Sequence, residues 1–430
     1  MEVYEKVINI TRQIQPNPED LIKYYRALTT KCIDEDEYVV RFVISKGEGT
    51  LHYQVSETLE LGILKLNPNE FVAPNIFKFY PRKQKRETDF NIVFIIPTGI
   101  GAEIGGHSGD GGATARLFAS VCDNFITHPN VVNASDINEL PENGLYVEGS
   151  VLSRFLLGEI GLYKSRSNRI CIVINNHTNR MINRAVNAIN AARANMGINI
   201  TTMIKSDFDM RSEFTNSGRA TGTVSRLENL IRELKDKKDE YDAIVVTSPI
   251  ELDINTIDDY FSDRIEVNPW GGAEAILTHT ISNLVGKPAV HAPMPQVKEE
   301  LELDKGASIV NPTKAAESVS LTNLHCILKG AHRMPKIGSP YTADLSIEDI
   351  DCIIMPFGCF GLPTIASAIH KIPLIVVQEN RNIMQYKYTG EIQPYLARDY
   401  KEALWIVCAL RAGISLSTLK RPMIDFWRYR

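Results

Sequence analysis

Short apolar runs alternate with helical patterns from Asn91 onward, and this alternation limits what the chain can fold into. A strand followed by a helix and then by another strand builds a parallel sheet, whose strands are buried on both faces. The sequence therefore predicts a doubly wound α/β architecture with two Rossmann-like lobes. The strand candidates are NIVFIIP (91–97), RICIVIN (169–175), YDAIVVTSP (241–249), PAVHAPM (288–294), IDCIIMPFG (350–358) and IPLIVVQ (372–378).

The first 88 residues follow a different pattern. A helix is predicted over 18–32, and the segments YVVRFVISK and TLHYQVSETLELGILKL then alternate as half-buried antiparallel strands do. A chain of 430 residues is too long for one ordinary core. We therefore predict a small α+β domain over 1–88, a first Rossmann-like lobe over 89–240 and a second over 241–430.

The composition excludes several classes of protein. The chain is 44% hydrophobic and 23% charged, and it lacks the roughly 18 consecutive apolar residues of a membrane span. The N-terminus has no apolar signal core, and the seven scattered cysteines fit a reducing cytoplasm. The net charge of −5, with no basic stripe, argues against nucleic-acid binding. We expect a cytoplasmic protein without membrane or nucleic-acid partners, and a homo-oligomer stays open.

A glycine-rich loop, PTGIGAEIGGHSGDGGATARL (97–117), joins the first buried strand to a helix. Loops at the carboxyl ends of parallel strands bind ligands, and a helix N-terminus favours a phosphate or a carboxylate. The loop has neither the phosphate-binding Gly-Lys-Ser/Thr nor a G-x-G-x-x-G pattern, so no nicotinamide or ATP site is predicted. The cofactor stays unknown, and the predicted ligand-binding glycines are Gly99, Gly101, Gly105 and Gly106.

Three reactive side chains in this loop are candidates for catalysis: Glu103, His107 and Asp110. His107 and Asp110 lie three residues apart and suit proton transfer or a shared metal. The usual spacings of zinc ligands are missing, so no metal ligand is assigned. In the next segment, Asn133 and Asp136 are predicted either to face the ligand or to rigidify a turn.

Two more glycine-containing segments, each directly before a predicted helix, are candidates for ligand binding. Ser217 and Arg219 precede a helix predicted near Thr223, where Arg219 either grips an anion or is a solvated residue beside a helix cap. His279, on a later helix, is predicted to be a packed core residue. Trp270 is predicted either to stack on a ligand or to join the core. With it, the predicted binding residues of this region are Gly271, Gly272 and His291.

The turn GCFGLP follows the buried strand near 350–356 and places Cys359 just before a helix. That position lowers the pKa of a thiol and suits a nucleophile or an acid–base group. The alternative is a small residue that fits a tight turn. Gly358 beside it, and Glu379 and Asn380 after the next strand, are predicted to line the cleft.

Several long motifs, which follow one another along the chain, are similar to those of a known family: IPTGIGAEIGGHSGD, NPWGGAEAILTH and GCFGLPTIASAI. Over roughly residues 90–390 the chain resembles a bacterial family catalogued as a domain of unknown function, number 3326 in that series. GCFGLP is also similar to the second cysteine motif of aspartate/glutamate racemases, with Phe360 in place of threonine. That likeness implies His107 as the partner of Cys359. Thr364 with IPLIVVQEN resembles the donor lobe of two-domain glycosyltransferases.

These observations favour an enzyme that acts on a small anionic metabolite, amino- or keto-acid-like or phosphorylated, in a cleft between two lobes. Acid–base or thiol chemistry of the lyase or isomerase type is expected, with Cys359, His107, Asp110 and Glu103 as catalytic residues. One alternative is a transferase that uses a nucleotide-activated donor. The other is a sensor that binds a small ligand without changing it.

Overall fold

The computed structural model describes residues 1–50, 53–86, 89–132, 140–296, 309–319 and 323–423. The strands are β1 (Glu2–Gln13), β2 (Glu37–Thr50), β3 (Gln54–Lys65), β4 (Asn91–Phe94), β5 (Asn124–Thr127), β6 (Gly144–Tyr146), β7 (Gly161–Tyr163), β8 (Ile170–Asn175), β9 (Ile200–Ser206), β10 (Asp209–Phe214), β11 (Ala220–Ser225), β12 (Ala243–Pro249), β13 (Ala289–Met294), β14 (Lys336–Gly338), β15 (Ile350–Pro356), β16 (Phe360–Gly361), β17 (Leu374–Val377), β18 (Gln385–Tyr386) and β19 (Tyr395–Ala397).

The helices are α1 (Pro18–Cys32), α2 (Gly112–Ala119), α3 (Gly149–Leu156), α4 (Asn179–Met196), α5 (Glu228–Asp236), α6 (Ile254–Phe261), α7 (Gly271–Val285), α8 (Ala315–Val319), α9 (Asn323–Arg333), α10 (Leu362–Ile369), α11 (Tyr400–Arg411) and α12 (Leu416–Leu419), with short 3₁₀ turns at Pro312–Lys314 and Ile347–Asp349. Each apolar run singled out in the sequence forms a strand of a parallel sheet, so the mixed α/β class is confirmed.

The first parallel sheet has the strand order β19-β17-β15-β4-β5-β6. After β4 the chain adds β5 and then β6 on one side of the sheet, and after β15 it adds β17 and then β19 on the other side. The order therefore reverses between β4 and β15, and the loops that follow these two strands meet at the carboxyl edge of the sheet. The glycine-rich loop and the GCFGLP turn are these two loops.

A second parallel sheet, β13-β12-β8-β9, is formed by a stretch of chain that lies between β6 and β15 in sequence. Its strand β8 separates two cores: Ile170 and Ile172 pack into the larger core, whereas Cys171 and Val173 pack into the smaller one. Residues on both sides of position 240 thus contribute to both parallel sheets. The domain boundaries at 88 and 240, and the description of the sheets as Rossmann-like lobes, stay predictions.

The N-terminal strands belong to a larger, mainly antiparallel sheet with the order β10-β11-β1-β3-β2-β16, in which β18 also pairs with β2. Its edge pairing joins Phe360 to Ile44 and Gly361 to Val43. The turn after β15 is therefore hydrogen-bonded to β2, and the antiparallel sheet lies against the carboxyl edge of the first parallel sheet.

Arg219 ties three strands of the antiparallel sheet together. Its buried guanidinium donates from Nε to Glu60 on β3 at 2.5 Å and also pairs with Glu5 on β1. Ser217 donates to the same Glu60 carboxylate at 2.5 Å. The helix predicted near Thr223 is wrong, because this segment is strand β11 and the helix begins at Glu228. Nor is Arg219 a solvated residue, since two carboxylates pair with it inside the protein.

We predict that Arg219→Met lowers the free energy of unfolding by about 3–5 kcal/mol, because Glu5 and Glu60 would keep their positions without a cation. Arg226→Met is the matched control, since Arg226 pairs with Asp207 and Asp209 at an exposed position. The Arg226→Met substitution should lower the free energy of unfolding by less than about 1 kcal/mol. Urea unfolding of both variants measures the difference, and equal losses would contradict the assignment.

Candidate functional site

A cavity of about 140 Å³ lies at the carboxyl edge of the first parallel sheet, between the loops that follow β4 and β15. Ligands of open α/β sheets bind at such a reversal of strand order. We call it the central cavity. It is lined by Val40, Arg41, Phe42, Val43, Ile76, Ile95, Pro97, Thr98, His128, Gly149, Ser150, Leu152, Ser153, Arg154, Ala275, His279, Asn283, Met355, Cys359, Phe360, Gly361, Leu362, Pro363 and Met384.

Arg41 on β2 brings a positive charge to the central cavity. Its Nη2 donates to the backbone oxygen of Thr98 at 3.1 Å, and only 7% of the residue is exposed. Within the described ranges, Nη1 has no hydrogen-bond partner and no carboxylate forms an ion pair with the guanidinium. Burial and the charge of Arg219 lower the pKa of Arg41 to about 9, although the charges of Glu5 and Glu60 act in the opposite direction. An anion in the cavity would supply the partner that such a buried charge needs.

Among the described residues, two other buried arginines form ion pairs with carboxylates, whereas Glu5 and Glu60 act on Arg41 only through their charges. Arg12 contacts Glu57 at 2.8 Å and Glu391 at 2.7 Å. Arg219 has the two carboxylates described above. The buried guanidinium groups of Arg12 and Arg219 thus each form ion pairs with carboxylates, whereas that of Arg41 faces the central cavity.

His279 and Asn283 project from one face of α7 into the same cavity, one helical turn apart. The Nε2 atom of His279 lies 3.2 Å from Oε1 of Glu148, the residue that caps α3. Its Nδ1 atom is buried and has no partner among the described residues. Burial and the charge of Arg41 lower the pKa of His279 to about 3, so the imidazole is neutral near pH 7. His279 is largely buried, as predicted, but it lines a cavity.

The side-chain amide of Asn283 is buried as well, and neither its oxygen nor its nitrogen has a partner in the part of the chain that the structure describes. His128, at the end of β5, accepts the backbone N–H of Ile96 at Nε2 over 3.2 Å. Burial lowers the pKa of His128 to about 4. The cavity therefore presents one guanidinium without an ion pair, one amide and two neutral imidazoles to a ligand, and the second lining arginine, Arg154, is paired with Glu159 at 3.0 Å.

Cys359 lines the central cavity, and only 1% of the residue is exposed. Burial raises the pKa of its thiol, so the predicted lowering of that pKa is wrong. The sulfur lies 3.9 Å from Oδ1 of Asn382, a weak contact. Gly358 has φ +84°, and a Cβ there would lie 2.6 Å from the backbone oxygen of Met384. The turn thus holds a protonated thiol at the cavity wall.

His107 is not among the residues that line the central cavity. Its Nδ1 lies 2.7 Å from the hydroxyl of Tyr260, which donates to Glu317 at 2.5 Å. Glu317 also accepts the backbone N–H of Ser108 at 3.0 Å. Burial raises the pKa of Glu317 to about 7 and lowers that of His107 to about 4. His107 therefore belongs to a separate polar chain and does not line the central cavity with Cys359.

The other polar residues of the loop hold it in place. Asp110 accepts the backbone N–H of His107 at 3.2 Å, and Glu103 forms an exposed ion pair with Arg381 at 2.9 Å. Asn380 binds both backbone groups of Ile104, each at 2.9 Å. Glu379 accepts the backbone N–H of Tyr400 at the start of α11. These contacts fasten the glycine-rich loop to the loop after β17.

The glycines at the predicted binding positions contact protein atoms. A Cβ at Gly99, where φ is +78°, would lie 2.7 Å from the backbone oxygen of Ala220, and one at Gly272 would lie 2.1 Å from the same oxygen. The loop and the start of α7 therefore converge on β11. The other glycines predicted there would also meet protein atoms closer than 3 Å: Gly101, Gly105, Gly106 and Gly271. A ligand-binding role for these glycines stays a prediction.

His291 lies between two polar side chains, with Nε2 2.8 Å from the hydroxyl of Ser248 and Nδ1 3.2 Å from Glu274. The arrangement has the composition of a catalytic triad, but Ser248 is fully buried and the central cavity does not reach it. Trp270 packs edge-on against Tyr260 at 5.5 Å between ring centres. Asn133 and Asp136 lie outside the described residues.

Three residues of the cavity were missed by sequence reasoning: Arg41, Asn283 and the cavity-facing role of His279. The signal for Arg41 was a single charge inside the apolar strand segment YVVRFVI. The signal for the other two was a polar pair at i and i+4 in the otherwise apolar helix AILTHTISNLV. A polar residue inside a buried pattern is more informative than an exposed apolar one.

Over the described ranges, no group of three or more His, Cys, Asp or Glu side chains is placed to hold a metal ion. Within the same ranges, no helix combines the length and the apolar character needed to cross a membrane.

The fold and this site define a mixed α/β protein with a ligand-sized cavity where the strand order of a parallel sheet reverses. The family described as "Protein of unknown function (DUF3326)" matches residues 91–420, and the chain belongs to that family, as the sequence motifs predicted. An uncharacterised lipoprotein of Synechococcus sp. is 31% identical over 338 residues, which are 76% of this chain and 92% of that protein. No solved structure matches the chain significantly.

We predict that Glu317 makes stability depend on pH. Its folded pKa is about 7, above the ordinary value of 4.5, so its protonated form is favoured in the folded state and stability falls as the pH rises from about 4.5 through 7. Between pH 5 and pH 8 the free energy of unfolding of the wild type should fall by on the order of 2 kcal/mol more than that of Glu317→Gln. Urea unfolding of both proteins at each pH measures this difference. Because His107 titrates in both proteins, the difference isolates Glu317. Parallel pH profiles would contradict this prediction.

Proposed function

We propose that this protein is an enzyme that acts on a small anionic metabolite in the central cavity, by acid–base chemistry of the lyase or isomerase type. The observation that carries the proposal is the buried guanidinium of Arg41, which faces the cavity with Nη1 unpartnered and forms no ion pair with a carboxylate among the residues that the structure describes. A bound carboxylate or phosphate would accept charge-assisted hydrogen bonds from it.

The side chains around Arg41 support proton transfer. His128 and His279 are both neutral near pH 7, because burial lowers the pKa of each. His279 can accept a proton from a bound substrate at Nδ1. The Nε2 lone pair of His128 already accepts the backbone N–H of Ile96, so His128 offers a ligand only a donor at Nδ1. Cys359 keeps its proton, because burial raises the pKa of its thiol. Acid–base chemistry is therefore favoured over attack by a thiolate.

The size of the cavity favours a small substrate. An apolar cavity of about 150 Å³ holds benzene, so a cavity of about 140 Å³ suits a ligand of roughly six to ten non-hydrogen atoms. A nucleoside diphosphate is several times larger. This comparison favours a small metabolite over the nucleotide-activated donor of a transferase.

Arg41→Met should weaken anion binding and also stabilise the ligand-free protein, because it removes a buried charge that has no ion pair among the described residues. The probes are butanoate, 2-hydroxybutanoate and inorganic phosphate, each tested by thermal shift and isothermal titration at constant ionic strength. The variant should bind at least 10-fold more weakly than the wild type, as expected for losing a hydrogen bond to a charged group.

Arg226→Met serves as the control and should bind like the wild type, because Arg226 is an exposed arginine outside the central cavity. An Arg41→Met protein that binds the anions unchanged, or that melts earlier without ligand, would contradict the role given to Arg41.

We also predict that the wild type exchanges carbon-bound hydrogen of a bound carboxylate for deuterium in D₂O. A base takes the proton next to the carboxylate, and solvent returns a deuteron to the same carbon. Proton NMR of each ligand that binds follows the loss of that signal, and Arg41→Met should show none. A ligand that binds but is recovered unchanged and undeuterated would instead identify a sensor.

A further inference from the structure

We propose that the ligand of the central cavity is a small carboxylate that also carries an O–H or N–H group, and that His279 accepts the hydrogen of that group at Nδ1. This inference rests on the proposed function, and it adds the chemical class of the substrate and the atom that recognises it.

The first step is the position of the proton on His279. Its Nε2 lies 3.2 Å from Oε1 of Glu148, and a carboxylate oxygen only accepts. The other oxygen, Oε2, accepts the backbone N–H groups of Ser150 and Val151, each at 3.0 Å, and the hydroxyl of Ser150. Burial raises the pKa of Glu148, and these hydrogen bonds favour its ionised form. The nearby carboxylate therefore favours the tautomer of His279 that carries its hydrogen on Nε2.

The second step concerns the nitrogen that remains. Once Nε2 carries the hydrogen, Nδ1 has a lone pair, and within the described residues nothing donates to it. The charged and titratable groups around this cavity are Arg41 on β2, Glu148 at the cap of α3, Arg154 on α3, which is paired with Glu159, and His128 and Cys359 at the carboxyl edge of the sheet. A carboxylate bound to Arg41 would offset the positive charge that lowers the pKa of His279, so ligand binding itself makes Nδ1 more basic.

The close approach of Glu148 to His279 is built into the start of α3. A Cβ at Gly149 would lie 2.7 Å from Nε2 of His279. Only glycine leaves room for the imidazole at that point. Glu148 is thus a positioning residue that selects the tautomer of His279, while His279 faces the ligand.

The third step is to derive which groups a ligand needs in order to satisfy the unpartnered atoms of the cavity. Arg41 donates, His279 accepts, and Asn283 one turn further along α7 both donates and accepts. A ligand that satisfies all three has an anionic acceptor group and at least one hydrogen donor. Phe42, Ile95 and Leu152 line the same space and suit a short hydrocarbon chain. A small 2-hydroxy or 2-amino carboxylate has this combination within the size limit.

The test compares ligands that differ in one group. The probes are 2-hydroxybutanoate, 2-methylbutanoate, which replaces the hydroxyl with a methyl group of similar size, and inorganic phosphate. Isothermal titration of the wild type should show at least 10-fold tighter binding of the hydroxy acid, because a methyl group leaves Nδ1 unpaired. Equal binding of the two carboxylates, or a preference for phosphate, would overturn the inference.

Two variants of His279 form a matched pair. Gln reaches the position of Nε2 and can keep the contact with Glu148, whereas Asn places its amide at the position of Nδ1. His279→Gln should bind the two carboxylates equally and bind 2-methylbutanoate as the wild type does. His279→Asn should keep part of the preference for the hydroxy acid. A preference retained in His279→Gln would show that another group recognises the hydroxyl.

A second measurement reads the tautomer directly. In protein with nitrogen-15-labelled histidine, the resonances of His279 are those missing from His279→Gln, and they should show the hydrogen on Nε2 at pH 7.5. A hydrogen on Nδ1 would overturn the inference even if anions bind through Arg41. If no probe binds in an Arg41-dependent way, the proposed function fails together with this inference.

Discussion

The pairing of β2 with the turn after β15 is the contact on which the site depends. It joins Phe360 to Ile44 by main-chain hydrogen bonds, which do not depend on the side chains at these positions. Because β2 is held there, Arg41 lies over the carboxyl edge of the first parallel sheet, where water is largely excluded. The Phe360–Ile44 pairing therefore decides both the electrostatics of the cavity and the packing of the antiparallel sheet onto the rest of the molecule.

Buried polar groups in this protein fall into two kinds. The chain from His107 through Tyr260 to Glu317 and the chain from Ser248 through His291 to Glu274 connect polar side chains to one another and so stabilise the loops that carry them. Arg41, His279 and Asn283 have buried polar atoms without such partners in the described residues. Single unpartnered polar atoms also occur in Arg82, Tyr146, Asn168, His332 and His370, which do not line the cavity. The convergence of three such side chains on one cavity is therefore what marks the site.

The sequence predicted the fold class and the elements well, and the site only in part. Buried parallel strands can be recognised in the sequence as apolar runs. That β4 and β15 are neighbours in one sheet was not predicted, because the sequence does not determine the order of the strands. Cys359 was placed beside the cavity, but the pKa of its thiol depends on burial that only the packing of β2 creates. His107 was expected to pair with Cys359 because both are reactive, yet Tyr260 is its neighbour. Arg41 escaped notice because the N-terminal segment shows no link to the later strands until pairing is known.

The way the second parallel sheet interrupts the first has a consequence for how the chain is made. During synthesis, β4 leaves the ribosome long before β15, its neighbour in the sheet. The main-chain hydrogen-bonding groups on that edge of β4 therefore have no β-strand partner until β15 is made. Such an edge is a template for wrong pairing and slows folding through long-range contacts. The nascent N-terminal half therefore needs protection, by a chaperone or by early packing of its own helices, until Ile350 has emerged.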